Sequence, residues 1–134
     1  MINSAEEFIR LRISDVETEY YRVSHDDAAD ATWLEIIQRF PDYKAWVIHN
    51  KTVPLTILEI LSLDDDAQVR AAVARKRKIN NEIFRRLSVD TADSVRGALL
   101  ANTNLSRTMK MQVSTEGSEW LKKPLQEQLN KLSD

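Results

Sequence analysis

Four consecutive cations, Arg75-Lys76-Arg77-Lys78, are the strongest chemical feature of this 134-residue chain. Guanidinium forks and ammonium groups at this density bind carboxylates or phosphates, and by themselves they make and break no covalent bonds. Three readings of the cluster stand: a solvated turn, a contact for an acidic protein surface, and a contact for nucleic-acid phosphates. No aromatic residue interleaves the run, so nothing in it provides for base stacking.

Little else in the chain is suited to covalent chemistry. Without cysteine there is no thiolate zinc site, disulfide or cysteine nucleophile. The two histidines, His25 and His49, lack metal-ligand spacing with other soft ligands. His25-Asp26-Asp27 reads as a solvated helix end, and His49 as an imidazole that complements a helix C-terminus. Asp64-Asp65-Asp66 lacks the glycine turn and terminal glutamate of a calcium loop and reads as helix capping. Gly97 and Gly117 are the only glycines, too few for a phosphate-cradling loop. No base–nucleophile pair is evident. The expectation is a protein that is not an enzyme and uses no cofactor or metal.

The elements that must position these cations follow from an internal repeat of 26 residues, whose copies cover 41–64, 65–90 and 91–116. Repeats of this length are supersecondary units that bury their apolar faces against one another. Each copy reads as two short helices. The first takes inward positions from Tyr43, Trp46 and Val47, then Val69, Ala72 and Val73, then Val95, Ala98 and Leu99. That i, i+3, i+4 spacing defines one helical face. The second helix uses Ile57, Leu58 and Leu61, then Ile83, Phe84 and Leu87, then Met109 and Val113, with Lys110 breaking the last apolar column.

The punctuation recurs as well. Asn50 and Asn102 follow the first helix, where Asn tolerates the left-handed conformation. Pro54 fits an N1 position, and its counterparts Asn80 and Ser106 fit N-caps. Val53, Ile79 and Leu105 sit where a hydrophobic staple would close each turn. Ala45, Ala71 and Gly97 form a small-residue column suited to close helix approach.

The series Asp-x-x-x-x-Val-Arg (Asp64 to Arg70, Asp90 to Arg96), then a short apolar helix, Asn and a second helix, resembles HEAT-like repeats. The short bacterial form called the variant leucine-rich repeat is the most similar. The resemblance covers about 41–116 and implies a stack whose second helices line a concave side. Two departures stand out: Lys76 replaces the turn Asn in the second copy, and Tyr43-Lys44 replaces Val-Arg in the first.

The ends differ from the repeat. Residues 4–12, 15–24 and 28–40 read as helices, with Ser4–Glu7 and Ser14–Glu17 spaced as capping boxes and Trp33, Ile36, Ile37 and Phe40 as an apolar stripe. Beyond 116, Pro124 falls where the repeat would place a helix interior, so a new helix near Pro124 is expected to cap the stack through Leu125, Leu129 and Leu132.

Charge is partitioned along the chain. Residues 1–35 carry nine acidic residues against three arginines, and 36–134 carry sixteen basic residues against twelve acidic. Arg70 and Arg96, in register with Lys44 and Lys122, form a cationic ladder read as pairing with Asp64 and Asp90 of the linking turns. On the second helices the columns Glu59, Arg85, Met111 and Ile60, Arg86, Gln112 and Leu55, Asn81, Arg107 vary from copy to copy, as a surface fitted to one partner would. Trp46 is expected to fill core against the Trp33 helix, and Trp120 to cover the C-terminal end.

The 43% hydrophobic content and regular apolar spacing argue against disorder, despite 30% charged residues. No apolar run nears the roughly 18 residues that span a bilayer, and MINSAEEFIRLR lacks a secretory n-region. The reading is therefore one all-α domain over 1–134, in a cytoplasmic protein. It is a short right-handed α-solenoid of about three helical hairpins, with capping helices over 1–40 and a cap over 117–134. The leading function is binding of a partner protein with an acidic surface by a monomer or weak homodimer, through Arg75, Lys76, Arg77, Lys78, Arg85, Arg86, Arg107 and Met111. Nucleic-acid binding through the same cations is the alternative.

Overall fold

The computed structural model describes residues 1–131 and is all-helical, apart from a single parallel backbone bridge between Ile2 and Ala28. Its α-helices are α1 (Ala5–Ile13), α2 (Glu17–His25), α3 (Asp30–Arg39), α4 (Lys44–His49), α5 (Leu55–Leu61), α6 (Ala67–Ala74), α7 (Asn81–Ser88), α8 (Asp93–Leu100), α9 (Arg107–Met111) and α10 (Lys122–Lys131). Short 3-10 turns at Pro41–Tyr43 and Glu119–Leu121 lead into α4 and α10. Among the described residues no helix is long and apolar enough to cross a membrane. The chain forms two compact units, Met1–Leu58 and Glu59–Asp134.

In the first unit, Ser4 caps α1 by accepting a hydrogen bond from the Glu7 N–H at 3.0 Å, as the capping-box spacing predicts. That start aims Phe8 and Leu11 inward, and Phe8 meets the Trp33 ring of α3 edge to face, 5.7 Å between centroids. Ile36 and Ile37 complete the buried stripe of α3, whereas Phe40 is only half-buried.

The expected second capping box does not form. Ser14 Oγ accepts from the Val16 N–H and donates to Glu19 Oε1, and α2 begins from Val16 with no side-chain cap. A Ser or Asp there would contribute about 1 kcal/mol. Trp46 is half-buried rather than core, with the Arg12 guanidinium 3.8 Å above its ring.

In the second unit α6 lies alongside α8, α7 packs against α8, and α9 packs against α10. In α8 the expected face of Val95, Ala98 and Leu99 is buried, whereas in α6 Val73 is buried and Val69 and Ala72 are half-buried. Ala74 and Leu100, which the i, i+3, i+4 pattern leaves out, are also covered. A first helix flanked by neighbours buries a wider stripe than one face. Asp66 caps α6, Asn80 caps α7 and Ser106 caps α9, each side-chain oxygen accepting a backbone N–H. Pro54 sits one position earlier than expected, at the N-cap of α5, its carbonyl accepting from Ile57 and Leu58.

Helix α10 starts at Lys122, two residues before the expected position. Pro124 therefore lies in the first turn, where its missing N–H would have had no partner. Leu129 of α10 is buried and Leu125 half-buried, whereas Leu132 lies outside the described residues.

Lys110 does not turn out to solvent. It is 2% exposed, occupies the column of Leu58 and Phe84, and donates to Gln128 Oε1 of α10 at 3.2 Å. Burial, with Lys131 nearby, pushes its pKa down. A charge held by one neutral hydrogen bond opposes folding. Lys110→Met is therefore expected to raise stability by about 1–2 kcal/mol at pH 7. Between the lowered native pKa and the usual lysine value, the unfolded chain binds more protons than the native one, so wild-type stability rises with pH there. The gap between the two proteins should accordingly narrow as pH rises above neutral, which urea titrations at several pH values will measure.

Candidate functional site

The four cations occupy the connection between α6 and α7. Helix α6 ends at Ala74, with Arg75 as its C-cap and the Lys76 N–H bonded to Val73 O at 3.0 Å. Helix α7 then starts from Asn80, whose Oδ1 accepts from the Ile83 N–H and whose Nδ2 donates to Glu59 Oε1. The connection is held from behind by the next helical pair. Buried Asn102 donates from Nδ2 to Ala74 O at 2.9 Å and to Lys76 O at 3.0 Å. Asn104 Nδ2 reaches Arg77 O at 2.7 Å, and its own backbone N–H returns to Asn102 Oδ1 at 2.9 Å. With these carbonyls bonded, Arg75, Arg77 and Lys78 are exposed residues, although partial burial of the Lys78 ammonium lowers its pKa. Lys76 is half-buried, and that burial together with the Lys78 charge lowers its pKa.

The same device appears in the first unit. Asn50 donates to Val23 O at 2.7 Å and Asp26 O at 2.9 Å, and its Oδ1 accepts from the Thr52 N–H at 2.7 Å. Asn50 and Thr52 match Asn102 and Asn104 in repeat register. Their role differs from the expected helix-ending one: Asn50 is extended, at φ −60° and ψ 131°, and no non-glycine residue described has positive φ. The Asn side chain serves here because one amide supplies two donors and an acceptor to a buried turn.

The other candidates divide into surface and framework. Arg85 is exposed beside a depression of about 260 Å³ lined also by Asn81, Phe84, Met109 and Gln112. Met111 is exposed too. Arg86 instead donates to Ser62 Oγ at 2.6 Å and to Glu59 O at 3.4 Å. Arg107 donates to Leu129 O at 2.6 Å, tying α9 to α10. Both guanidinium groups are thus partly engaged within the fold, and both residues are half-buried.

The cationic ladder also belongs to the framework, although its pairing differs in detail. Arg70 grips both oxygens of Asp90, at 2.8 and 3.1 Å, and donates to the carbonyls of Asp64 and Asp65. Burial alone would raise the Asp90 pKa, but Arg70 and the Ala92 N–H hold it below the usual value. Arg96 is buried and reaches the carbonyls of Ser114 and Glu116 and the carboxylate of Asp93, not that of Asp90. Both arginines span twenty residues, from 70 to 90 and from 96 to 116.

Trp120 is exposed over half its surface. Its indole N–H donates to Asp93 Oδ2 at 2.6 Å, and its ring edge lies 3.5 Å from where a Cβ on Gly97 would stand. Bonds from Ser118 and Trp120 hold the Asp93 pKa down. His25 stacks on Tyr21 at 3.6 Å and shares a hydrogen bond with Ser24 Oγ at 2.7 Å. Among the described residues no three His, Asp or Glu side chains converge as a metal ion would require.

Compared with family models, curated proteins and solved structures, the chain matches none. Sequence reasoning picks out the cations of this surface but misses the residue that fixes the outer part of their turn, Asn104. The signal was present as Asn-x-Thr at 50–52 and Asn-x-Asn at 102–104. Removing a buried amide strands two carbonyls, so Asn102→Ala should lose about 1–3 kcal/mol in denaturant titrations. The exposed pair Arg75→Ser and Arg77→Ser should stay within about 0.5 kcal/mol of wild type.

Proposed function

We propose that this chain is a non-enzymatic interaction module of the cytoplasm that docks a partner protein with an acidic surface. It is read as a short right-handed α-solenoid of about three helical hairpins, akin to HEAT-like or variant leucine-rich repeats. Support for the stack comes from α6 and α8, helices one repeat apart that lie side by side, and from the Asn device recurring in repeat register.

One observation carries the functional reading. The carbonyls of Ala74, Lys76 and Arg77 are tied from behind, while Arg75 and Arg77 are exposed to solvent. A turn fixed in this way loses little freedom on docking, and its cations steer an acidic partner. The commitment of Arg86 and Arg107 to internal acceptors thins the cationic surface that a nucleic-acid backbone would need, which favours a protein.

The test is capture of partners from native lysate by wild type and by R75S/K76S/R77S/K78S, with nuclease treatment in parallel and thermal melts of both proteins. A nuclease-resistant protein held by wild type and lost by the folded variant is the expected result. Recovery of nucleic acid, or equal capture by both forms, would overturn the proposal.

A further inference from the structure

The turn joining α1 to α2 exposes apolar side chains. Ile13 closes α1 at 67% exposure, Val16 stands at the N-cap of α2 at 53%, and Tyr20 follows one helical turn later at 43%. Val16 neither caps its helix nor buries its side chain. A residue that breaks a local rule without structural gain marks a surface selected for something else. Two carboxylates, Asp15 and Glu17, alternate with these residues, are exposed, and make no ion pair with any described residue. Neighbouring Glu19 is occupied by Arg10, and Arg12 lies between the Tyr20 and Trp46 rings. An apolar, aromatic centre with a charged rim is the anatomy of a docking site.

We infer that this patch receives the turn Arg75–Ile79 of a second copy of the same chain. The inference rests on reading that turn as a docking surface. The complement lies within the sequence itself: Arg75 and Arg77 are exposed, alternate at the spacing of Asp15 and Glu17, and pair with no described residue, and partly exposed Ile79 follows them. Residues 1–35, which hold the patch, carry nine acidic residues against three basic. Because the two surfaces differ, the contact is heterologous, and copies add head to tail. It gathers strength from exposed charges, so salt weakens it.

Sedimentation velocity on the full chain tests this across a wide concentration range, at ~20 mM and ~500 mM salt. Wild type should grow in mass with concentration at low salt and revert to monomer at high salt. The patch variant D15K/E17K and the turn variant R75E/R77E should each remain monomeric alone. Mixed in equal amounts, they should regain association, because the intact turn of the patch variant meets the intact patch of the turn variant and the two reversed surfaces are complementary in charge as well. Val16→Ser, which supplies the missing cap, should weaken association roughly tenfold without loss of folding. A wild type that is monomeric throughout would overturn the inference, as would a monomeric mixture. Association lost in the turn variant but kept in the patch variant would overturn it too, and would leave the turn standing as a docking surface for something else.

Discussion

A short helix–turn–helix unit leaves carbonyls at the end of its first helix and along its turn, and burying them without donors would cost about 1–3 kcal/mol each. Here a side-chain amide from the following helical pair makes up the deficit. Asn50 serves the turn at Val23 and Asp26, and Asn102 serves the turn at Ala74 and Lys76. The rest of the repeat is consistent with this arrangement. The spacing of the units must place the next Asn behind the previous turn, and the first helices must lie close enough for the amide to reach. On the linking turns that follow the second helices, Arg70 and Arg96 do the corresponding work, donating to backbone oxygens and to Asp90 or Asp93. Turn geometry is thus specified by buried polar side chains, while Leu, Ile and Val supply most of the burial.

Features governed by local chemistry were legible in the sequence. Caps at Ser4, Asn80 and Ser106 follow from residue type and position, and the apolar columns of α5 and α7 follow from helical period. Features decided by tertiary contacts were not. Asn50 and Asn102 look like helix terminators from their placement alone, and only the neighbouring turn shows them to be clamps. Lys110 reads as a break in an apolar column until Gln128 of α10 arrives beside it. Ser14 has the spacing of a capping box, but Glu19 draws its hydroxyl away. Of the candidate cations, Arg75 and Arg77 were legible because they depart from the repeat. Arg86 and Arg107 looked equivalent to them because sequence does not reveal which guanidinium groups find internal carbonyls or hydroxyls.

These ties bear on function through rigidity. A charged turn with a free backbone binds weakly because ordering it consumes much of the gain, whereas a turn already fixed has only side-chain freedom left to lose. Docking through this surface therefore requires the turn at 75–78 to be ordered in the free protein. The most direct measurement is backbone ¹⁵N relaxation across the chain. The clamp predicts order parameters of about 0.85 for Arg75 to Lys78, matching the flanking helices α6 and α7. Values below about 0.6 in that turn would contradict it, showing that Asn102 and Asn104 do not hold the surface on which the functional reading stands.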